Sequence, residues 1–516
     1  MRFGVEDLAL YIVSHFESVI DISHFTDGVR IQRVRVRANM FFGADWWGSA
    51  SHPSGVDGGR GVPWVFSGGG RNPAIPVHGK NFVVSDCDLW VSGTVFKSDG
   101  LYTNHLCPNH TNIGSGFDTF VDADCVFSSA RWGLIANNTI MNGGACHWFD
   151  QAQQVIFENN TCTGNNPMTM GNNIDTYGGG YAQHVYLHAN RIASVWGNDR
   201  EVLTTDGDES VGNFAAGRAE EISADGTNIT LDCNALPGSG NTRGGQVAII
   251  AGGAAGQIRR IVGYYQGTWA LSNGGAVTCH RSFKLNKPFA VAPDGSSVFQ
   301  AMPYTGGSIL HRMHYADTGA VQTYGSMVQT VFAQVVGERM GGLIGWGQWR
   351  ACATSSQKGM CVHWAGADPE TKAIDDDVNM QNEYISNIIL DGLRADHQSA
   401  QPGTSQGTGK NLAGFGDSPH IGAHNFGMMN PGVIWKQTQQ FGDNGALVHR
   451  LIVWRSNHAD ANGGFSVGGG IAMTYENNHV AATPKNMLPD HEDSAFVVNN
   501  SMTVALFMRG NTEDHL

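Results

Sequence analysis

The chain has 516 residues and a net charge of −14, with only 15% charged residues and 69 glycines. Few charges and many glycines are typical of a turn-rich all-β protein. This length fits two or three ordinary domains, but a repeat protein can use all of it as one unit. The longest basic stretch runs only from Arg30 to Arg37 and alternates Arg with apolar residues, which argues against nucleic acid as a partner.

The N-terminal segment alternates apolar and polar residues like a strand and lacks the basic, apolar and small-residue regions of a signal peptide. We therefore expect it to lie inside a repeat, with a signal peptide and a capping segment upstream. The longest apolar stretch, Val247–Gly256, is too short and too rich in glycine to span a bilayer. The sequence thus predicts a soluble protein with no membrane span.

A stepped repeat, apolar-x-apolar-x-x-Asn with a mostly apolar residue two positions later, recurs along the chain. Its segments end on Asn39, Asn138, Asn160, Asn190, Asn457, Asn478 and Asn500. The separations 160−138=22, 478−457=21 and 500−478=22 indicate a stacked architecture.

Alternating residues such as Val155 and Phe157, or Val185 and Leu187, point to one side of a strand. The period fits a coil of three strands and three bends, and stacking such coils at about 4.8 Å buries one apolar interior. Asparagine fits the bend, because it tolerates a left-handed backbone and its amide can bind its counterpart in the next coil.

Through the Asn-Asn segments at Asn138, Asn160, Asn478 and Asn500, the chain resembles the parallel β-helix proteins of the pectate-lyase-like superfamily. The resemblance covers residues 1–200 and 300–516 and implies an all-β, right-handed parallel β-helix, a solenoid with three strands per coil. It selects no single activity, because a fold does not fix a function.

The repeat pattern of the sequence changes twice. Residues 1–205 carry the first coils, and residues 206–300 contain short strands between Gly and Asn turns without the Asn register, which predicts a small inserted β-module. Residues 301–516 return to coils with long loops.

Nine cysteines are present, none in a CxxC pair that would suggest zinc. We expect disulfides on the candidate pairs Cys146 with Cys162, Cys233 with Cys279, and Cys352 with Cys361. Five Asn-x-Ser/Thr sequons occur, at Asn109, Asn137, Asn159, Asn228 and Asn499. Both features favour a secreted glycoprotein, although three of the sequons also belong to the Asn-rich bends.

Two motifs are set aside. The glycine-rich segment Ala251–Gly256 precedes a strand-like stretch instead of a helix, so we expect no nucleotide or other organic cofactor. On a strand, His184 and His188 lie about 13 Å apart at about 3.3 Å per residue, too far to share one zinc ion.

The densest polar segment lies at the junction with the predicted module. We expect Asp199, Arg200 and Glu201 to act in catalysis, with Asp206 and Asp208 as ligands of Ca²⁺. The alternative is a solvated acidic turn in which Arg200 forms a surface ion pair.

One coil earlier, His184, Tyr186 and His188 should project from the outer face of a strand, where a His or Tyr can serve as acid or base. The alternative is an exposed polar strand face. Candidate residues for binding the substrate are His147, Trp148, His188, Trp196, Trp346 and Trp349. His311 and His314 are weaker candidates near the last two tryptophans.

These features, with the resemblance, predict an extracellular enzyme that cleaves a polysaccharide in a lateral groove. β-Elimination of a uronic-acid polymer is slightly favoured over hydrolysis by a carboxylate pair drawn from Asp199, Glu201 and Asp206. The acidic net charge counts against a polyanionic substrate unless the groove is basic or holds a metal ion. The rival from another class is a non-catalytic glycan-binding protein, adhesin or structural β-helix.

Overall fold

The computed structural model describes only part of the chain. The described residues are 3–13, 20, 22–43, 75–97, 100–102, 125–126, 131–142, 152–164, 175–176, 183–193, 203–204, 215–217, 219–231, 245–270, 276–302, 305–316, 321–323, 327–338, 344–347, 362–363, 385–396, 435–438, 440–441, 450–459, 465–467, 470–483, 496–498 and 503–515.

The described residues form strands and no helix. The first strands are β1 (Phe3–Glu6), β2 (Ala9–Val13), β3 (Ile22–Asp27), β4 (Val29–Gln32), β5 (Arg35–Gly43), β6 (Ile75–Ser85), β7 (Asp88–Lys97), β8 (Gly100–Tyr102), β9 (Cys125–Val126), β10 (Arg131–Ala136), β11 (Thr139–Asn142), β12 (Gln153–Glu158), β13 (Thr161–Gly164), β14 (Asp175–Thr176), β15 (Tyr186–His188), β16 (Arg191–Ala193) and β17 (Leu203–Thr204).

The middle strands are β18 (Ala215–Gly217), β19 (Ala219–Ile222), β20 (Asn228–Leu231), β21 (Gln246–Ala251), β22 (Ile258–Ala270), β23 (Ala276–Leu285), β24 (Val298–Met302), β25 (Thr305–Gly306), β26 (Ile309–His311), β27 (His314–Ala316), β28 (Val321–Thr323), β29 (Met327–Ala333), β30 (Val336–Glu338) and β31 (Ile344–Gly347).

The last strands are β32 (Val362–His363), β33 (Ile385–Asp391), β34 (Arg394–Asp396), β35 (Trp435–Thr438), β36 (Gln440–Phe441), β37 (Arg450–Arg455), β38 (His458–Ala459), β39 (Phe465–Val467), β40 (Gly470–Glu476), β41 (His479–Thr483), β42 (Phe496–Val498), β43 (Thr503–Arg509) and β44 (Thr512–His515).

Three long sheets are built almost wholly from parallel strands. Sheet A runs β1-β4-β6-β10-β12-β15-β26-β29-β33-β37-β40-β43, sheet B runs β2-β5-β7-β11-β13-β16-β27-β30-β34-β38-β41-β44, and sheet C runs β14-β17-β28-β31-β35-β39-β42. From β12 to β42 the parallel strands follow one another in the order A, B, C, and each pairs with the strand of its own sheet one repeat away. The expected all-β class with parallel strands is therefore confirmed.

Alternating apolar residues build the interior. One column on sheet A is in register over twelve strands: Val5, Ile31, Val84, Ile135, Phe157, Leu187, Leu310, Phe332, Leu390, Trp454, Tyr475 and Met508. Every member from Ile31 to Tyr475 has no solvent exposure. Burial of each such side chain contributes about 1.5–3 kcal/mol to folding, so this interior is the main source of stability.

Left-handed residues recur twice in each repeat of sheet A, five residues apart. The first column holds Gly28, Asn81, Trp132, Gln154, His184, Gly307, Gln329, Asn387, Leu451, Ala472 and Ala505, and the second holds Arg33, Asp86, Asn137, Asn159, Ala189, Arg312, Gln334, Gly392, Ser456, Asn477 and Gly510. Their φ values lie between 51° and 82°, the region in which the chain changes direction sharply. The second column makes the short bend from sheet A to sheet B.

The repeated asparagine binds its counterpart in the next repeat, as expected, but it is not itself the bend. Left-handed Asn137 and Asn159 each precede the asparagine that ends the motif, and those following residues, Asn138 and Asn160, are buried. The Asn138 amide donates to Oδ1 of Asn160 at 2.9 Å, and the Asn160 amide donates to Oδ1 of Asn190 at 3.0 Å. The motif therefore marks a buried amide ladder next to the bend, and the bend itself is the residue before it.

A second amide ladder lies near the C-terminal strands. Asn457 donates to Asn478, and Asn478 donates to Asn511, each at 2.9 Å. Asn511 was not predicted as a member. The expected position at Asn500 lies outside the described residues, and the described strand before it, β42, belongs to sheet C.

The assignment of Asn39 to the end of a motif segment was wrong. It lies within β5, where its backbone pairs with Val13 and Ser92, and the bend of that repeat is at Arg33.

Between β17 and β25 the chain forms a separate antiparallel sheet, in the order β18-β24-β21-β22-β23-β20-β19. Its core includes the buried residues Ile229, Val247, Ile261, Phe283 and Phe299. The loss of the repeat pattern after residue 205 thus coincides with a change from parallel to antiparallel strand pairing. Whether this sheet is a domain with the boundaries 206 and 300 stays a prediction.

The expected disulfide between Cys146 and Cys162 is wrong. Cys162 is fully buried in sheet B and is not in a disulfide, and its backbone lies in register with Ile140 and Ile192. Its alternation along β13 places the side chain in the apolar interior. Cys87 is a second buried thiol outside a disulfide, and burial raises its pKa. The other expected pairs lie wholly or partly outside the described residues.

Among the described residues, no helix is long and apolar enough to cross a membrane.

The amide ladder gives a first prediction. Replacing Asn160 by Ala leaves the Asn138 backbone N–H and side-chain amide without their shared acceptor in a buried site. Because each unsatisfied buried group costs about 1–3 kcal/mol, we expect Asn160→Ala to lower the free energy of unfolding by about 3 kcal/mol in urea titrations. The control Asn159→Gly should change it by less than about 1 kcal/mol, because glycine accepts the left-handed backbone. Equal losses in both variants would contradict the ladder.

Gly133 gives a second prediction. Its neighbour on β6 is Phe82, whose ring fills the space above it, so an added Cβ would lie 1.9 Å from Phe82 Cζ. We expect Gly133→Ala to destabilise the protein by about 1–3 kcal/mol through overpacking. The double variant Gly133→Ala with Phe82→Leu should lose less than the sum of the two single changes in the same titration. Additive losses would show that the ring and the glycine do not share this space.

Candidate functional site

A cluster of three rings lies on the outer face of sheet A. Tyr186 and His188 are two residues apart on β15, and His311 on β26 is in register with His188. The ring centroids of Tyr186 and His188 are 5.3 Å apart with nearly parallel planes, and those of His188 and His311 are 4.9 Å apart. We call Tyr186, His188 and His311 the ring cluster. All three side chains are half-buried.

The hydrogen-bond partners of His311 indicate which ring nitrogen carries the proton in the neutral side chain. Its Nε2 lies 3.3 Å from Oε1 of Gln334, and Arg312 Nε donates to the same oxygen at 3.1 Å. Because an amide oxygen only accepts, His311 carries its proton on Nε2 when neutral. Its Nδ1 is then free to accept from the Tyr186 hydroxyl, 3.4 Å away. The cluster therefore contains a phenol aimed at a basic nitrogen.

His188 differs from the other two members of the ring cluster in its hydrogen bonding. Its Nδ1 is buried and has no hydrogen-bond partner among the residues that the structure describes. Glu158, on the neighbouring strand β12, is in register with His188. A buried polar atom without a partner is uncommon and is often explained by a catalytic role or by an unseen ligand or water.

His184 lies apart from the cluster. It was expected to project beside Tyr186 and His188, but its left-handed backbone, with φ of 55°, interrupts the alternation before β15. Its Nδ1 lies 3.1 Å from the carbonyl oxygen of Gly307, and the residue is exposed. We therefore assign His184 to the kink of its repeat.

Most of the other predicted site residues lie outside the described part of the chain. These are His147, Trp148, Trp196, Asp199, Arg200, Glu201, Asp206, Asp208 and Trp349. Trp346 lies in β31 of sheet C, where its backbone pairs with Thr323 and Gln437. It is thus on a different sheet from the ring cluster. A Ca²⁺ site at Asp206 and Asp208 stays a prediction.

The contact of His311 with His188 was not predicted from the sequence. The segment Ser308–His314 corresponds to Val185–Arg191, with Leu310 on Leu187, but Ser308 replaces Val185 and Met313 replaces Asn190. Aligning the two segments puts His311 on His188, as the register does. Because methionine replaces the asparagine, this segment was not recognised as a repeat from the sequence. The contact was not predicted because the two histidines are far apart in sequence.

A second polar network occupies the outer face of sheet B. Arg191 Nη1 lies 3.2 Å from Nδ1 of His314, whose Nε2 lies 3.0 Å from Oε1 of Glu338. The three residues come from β16, β27 and β30, which are consecutive strands of the sheet. Since each ring nitrogen of His314 already has a partner, the network is closed and offers less reactivity than the ring cluster.

A surface pocket of about 400 Å³ lies near the N-terminal bend and is lined by Asp7, Arg33, Arg35, Asp86 and Asp88, among others. Its charges are paired. Arg33 donates to both carboxylate oxygens of Asp7, at 2.6 and 2.9 Å, and this hydrogen bonding holds the pKa of Asp7 below its usual range. Asp88 pairs with Arg35 and Arg37. This pocket therefore has few groups to offer a ligand.

Within the described residues, no three His, Cys, Asp or Glu side chains are grouped so as to hold a metal ion. The chain matches no family model, and it has no significant match among curated proteins.

The ring cluster gives a third prediction. Tyr186→Phe removes only the hydroxyl contact to His311, which at 3.4 Å is long for a hydrogen bond between these atoms. We expect it to change the free energy of unfolding by less than about 1 kcal/mol, measured in urea, because the ring stacking is kept. A larger loss would show that the hydroxyl holds the strands together, and the variant would then be unsuitable for testing chemistry.

Proposed function

We propose that sheets A, B and C are the three faces of one right-handed parallel β-helix of the pectate-lyase-like type, with three strands per coil. The support is the strict A, B, C order of the strands and the pairing of each strand one repeat away. The amide ladders and the buried apolar columns are devices that such stacking requires.

We further propose that the protein is a carbohydrate-active enzyme and that its polysaccharide substrate binds on the outer face of sheet A. The observation that carries this proposal is the ring cluster. The half-buried rings offer apolar surface to the C–H groups of a sugar, and their imidazole and phenol groups can move protons.

β-Elimination suits the cluster better than hydrolysis. Elimination needs a base to remove the proton next to a uronate carboxyl group, and an acid to protonate the leaving oxygen as the C–O bond breaks and a double bond forms. The His188 imidazole is the base in this proposal and the Tyr186 hydroxyl is the acid. Hydrolysis needs two carboxyl groups. Glu158 lies one strand from His188 in the same column, but Asp391 lies two strands beyond His311 and is bound by Arg455.

A second candidate function is glycan binding without catalysis. One observation favours it: farther along the same face, Arg455 donates to both carboxylate oxygens of Asp391, at 3.1 and 2.6 Å. Glu476 is likewise paired with Arg509. Charges that neutralise one another in this way are typical of a passive surface.

The test is a cleavage assay on polygalacturonate, alginate and xylan, with and without a chelator. Ultraviolet absorbance reports the unsaturated product of elimination, and reducing ends report any cleavage. We expect absorbance with a uronate polymer, and we expect His188→Ala and Tyr186→Phe to lower the rate at least about 100-fold, as is usual for loss of a proton-transfer group.

The matched control is His479→Ala, because His479 and His458 on sheet B form a similar pair of neighbouring imidazoles, with ring planes tilted by 30°. Its rate should equal that of the unmodified protein. Absence of any product on all three polymers, or equal rates in all variants, would rule out the proposed enzyme and leave the binding function.

A further inference from the structure

The antiparallel sheet is inserted between the two repeats that build the ring cluster. Along the chain, its strands β18 to β24 come after β15, which carries Tyr186 and His188, and before β26, which carries His311. The strands β15 and β26 nevertheless pair directly in sheet A. The chain returns to sheet A at β25, whose last residue, Gly306, is five residues before His311. The insertion is therefore attached next to the candidate site.

The antiparallel sheet has an apolar core of its own on one face. Alternation along β21 places Val247 and Ile249 in this core, where they join Ile229 of β20 and Phe283 of β23. Because these side chains bury one another, the sheet does not need sheet A to cover its apolar residues. It can therefore change its position as a unit.

The opposite face is polar, and one part of it is also buried. It carries Gln246 and Ala248 on β21, which have no solvent exposure, and Thr230 and Ser282 on two paired strands, which are 6 and 3% exposed. Asn228, on the same face two residues before Thr230, is exposed. Another part of the protein therefore covers one end of this face.

A contact with sheet A indicates what covers it. Arg260 on β22 is in register with Gln246, so the two side chains share the buried face. The guanidinium of Arg260 donates to Oε1 of Gln183, a buried residue that bridges β12 and β25 of sheet A. Gln183 is three residues before Tyr186, within about 10 Å along the chain. The antiparallel sheet is thus docked beside the ring cluster.

Docking and release are closely balanced in hydrogen bonds. The side-chain amide of Gln246 has no partner for its oxygen or its nitrogen among the described residues, so docking keeps a buried amide unsatisfied. The hydroxyl groups of Thr230 and Ser282 lie 2.8 Å apart and bond each other, so release breaks no bond at this pair. Release therefore breaks the bond between Arg260 and Gln183 and returns the Gln246 amide to water.

We propose that the antiparallel sheet is a movable element that borders the candidate site. It docks on sheet A through Arg260 and Gln183, and on release it moves away as a unit and exposes the face that contains Gln246 and Ser282. The docked position closes the site around a bound polymer, so the polymer and docking stabilise each other. This inference rests on the proposed function and adds its regulation.

The experiment measures how fast a thiol reagent reacts with a cysteine placed in the buried face. The reporter is Ser282→Cys, because Ser282 is buried and a cysteine is of similar size. Mass spectrometry of the labelled peptides separates the reporter from the natural cysteines. The rate at buried Cys162 reports opening of the parallel sheets in the same sample.

Three second changes are made in the reporter protein. Arg260→Ala removes the docking bond, and Gln246→Leu removes the unsatisfied amide from the docked state. Arg259→Ala is the matched control, because this neighbouring arginine donates to the carbonyl oxygen of Pro288 and lies over the ring of Phe289, both between β23 and β24. Circular dichroism confirms that each variant is folded.

We expect Arg260→Ala to speed labelling of the reporter and Gln246→Leu to slow it, each at least about fivefold, because one bond or one unsatisfied group shifts such a balance by that order. Arg259→Ala should leave the reporter rate unchanged, and no variant should change the rate at Cys162. Equal reporter rates in all variants would overturn the movable element. Equal acceleration by Arg259→Ala and Arg260→Ala would also overturn it, because the reporter would then open by local unfolding.

A second arm adds polygalacturonate, alginate or xylan in excess. A polymer that the protein cleaves should slow labelling of the reporter at least about fivefold, because it binds the docked state more tightly. An unchanged reporter rate with a cleaved polymer would overturn the coupling between docking and the site.

The failure of one proposal is distinguishable from that of the other. Reporter rates that respond to Arg260→Ala and Gln246→Leu, in a protein that cleaves no polymer, keep the movable element and remove the enzyme. Cleavage with equal reporter rates in all variants keeps the enzyme and removes the movable element.

Discussion

Each strand of sheets A and B hydrogen-bonds to the strand one repeat away, in parallel and in register, and this pairing governs every other feature of the molecule. It forces residues at equivalent positions of successive repeats into columns about 4.8 Å apart. Apolar columns such as the one from Ile31 to Tyr475 close the interior. Polar columns are stable inside only if each member satisfies the next, as the amides of Asn138, Asn160 and Asn190 do.

The same register creates the candidate site. Tyr186 and His311 are 125 residues apart in sequence, and the antiparallel sheet lies between them along the chain, yet β15 and β26 are neighbours in sheet A. Stacking can therefore bring together rings that no local motif connects. On such a surface, residues that act together can come from a column of successive repeats instead of from one short sequence motif. This is consistent with a sequence in which no catalytic motif is recognisable.

Period-two alternation was enough to predict which residues face the interior, because Val155, Phe157, Val185 and Leu187 are all buried. The register of the bends was harder to predict. Asn39 resembles the motif but lies within a strand of sheet B, whereas Asn511 occupies the ladder position after a glycine. A short apolar-x-apolar pattern recurs in every sheet, so the pattern alone does not say which sheet a strand joins.

The candidate site was predictable only in part. The outward direction of Tyr186 and His188 follows from alternation, whereas the removal of His184 from their face depends on a left-handed residue that composition does not reveal. The contact with His311 depends on register across the intervening sheet. Side chains on long connecting segments, such as Asp199 and Glu201, follow no such periodic rule.

We propose that a polysaccharide binds on the outer face of sheet A. Hydroxyl-radical footprinting with mass spectrometry, carried out with and without polygalacturonate, alginate or xylan, measures this binding directly. We expect Tyr186, His188, His311 and Ile389 to become protected from oxidation by at least one polymer while His458 and His479 on sheet B remain unchanged. Protection of the sheet B histidines with none on sheet A would contradict it.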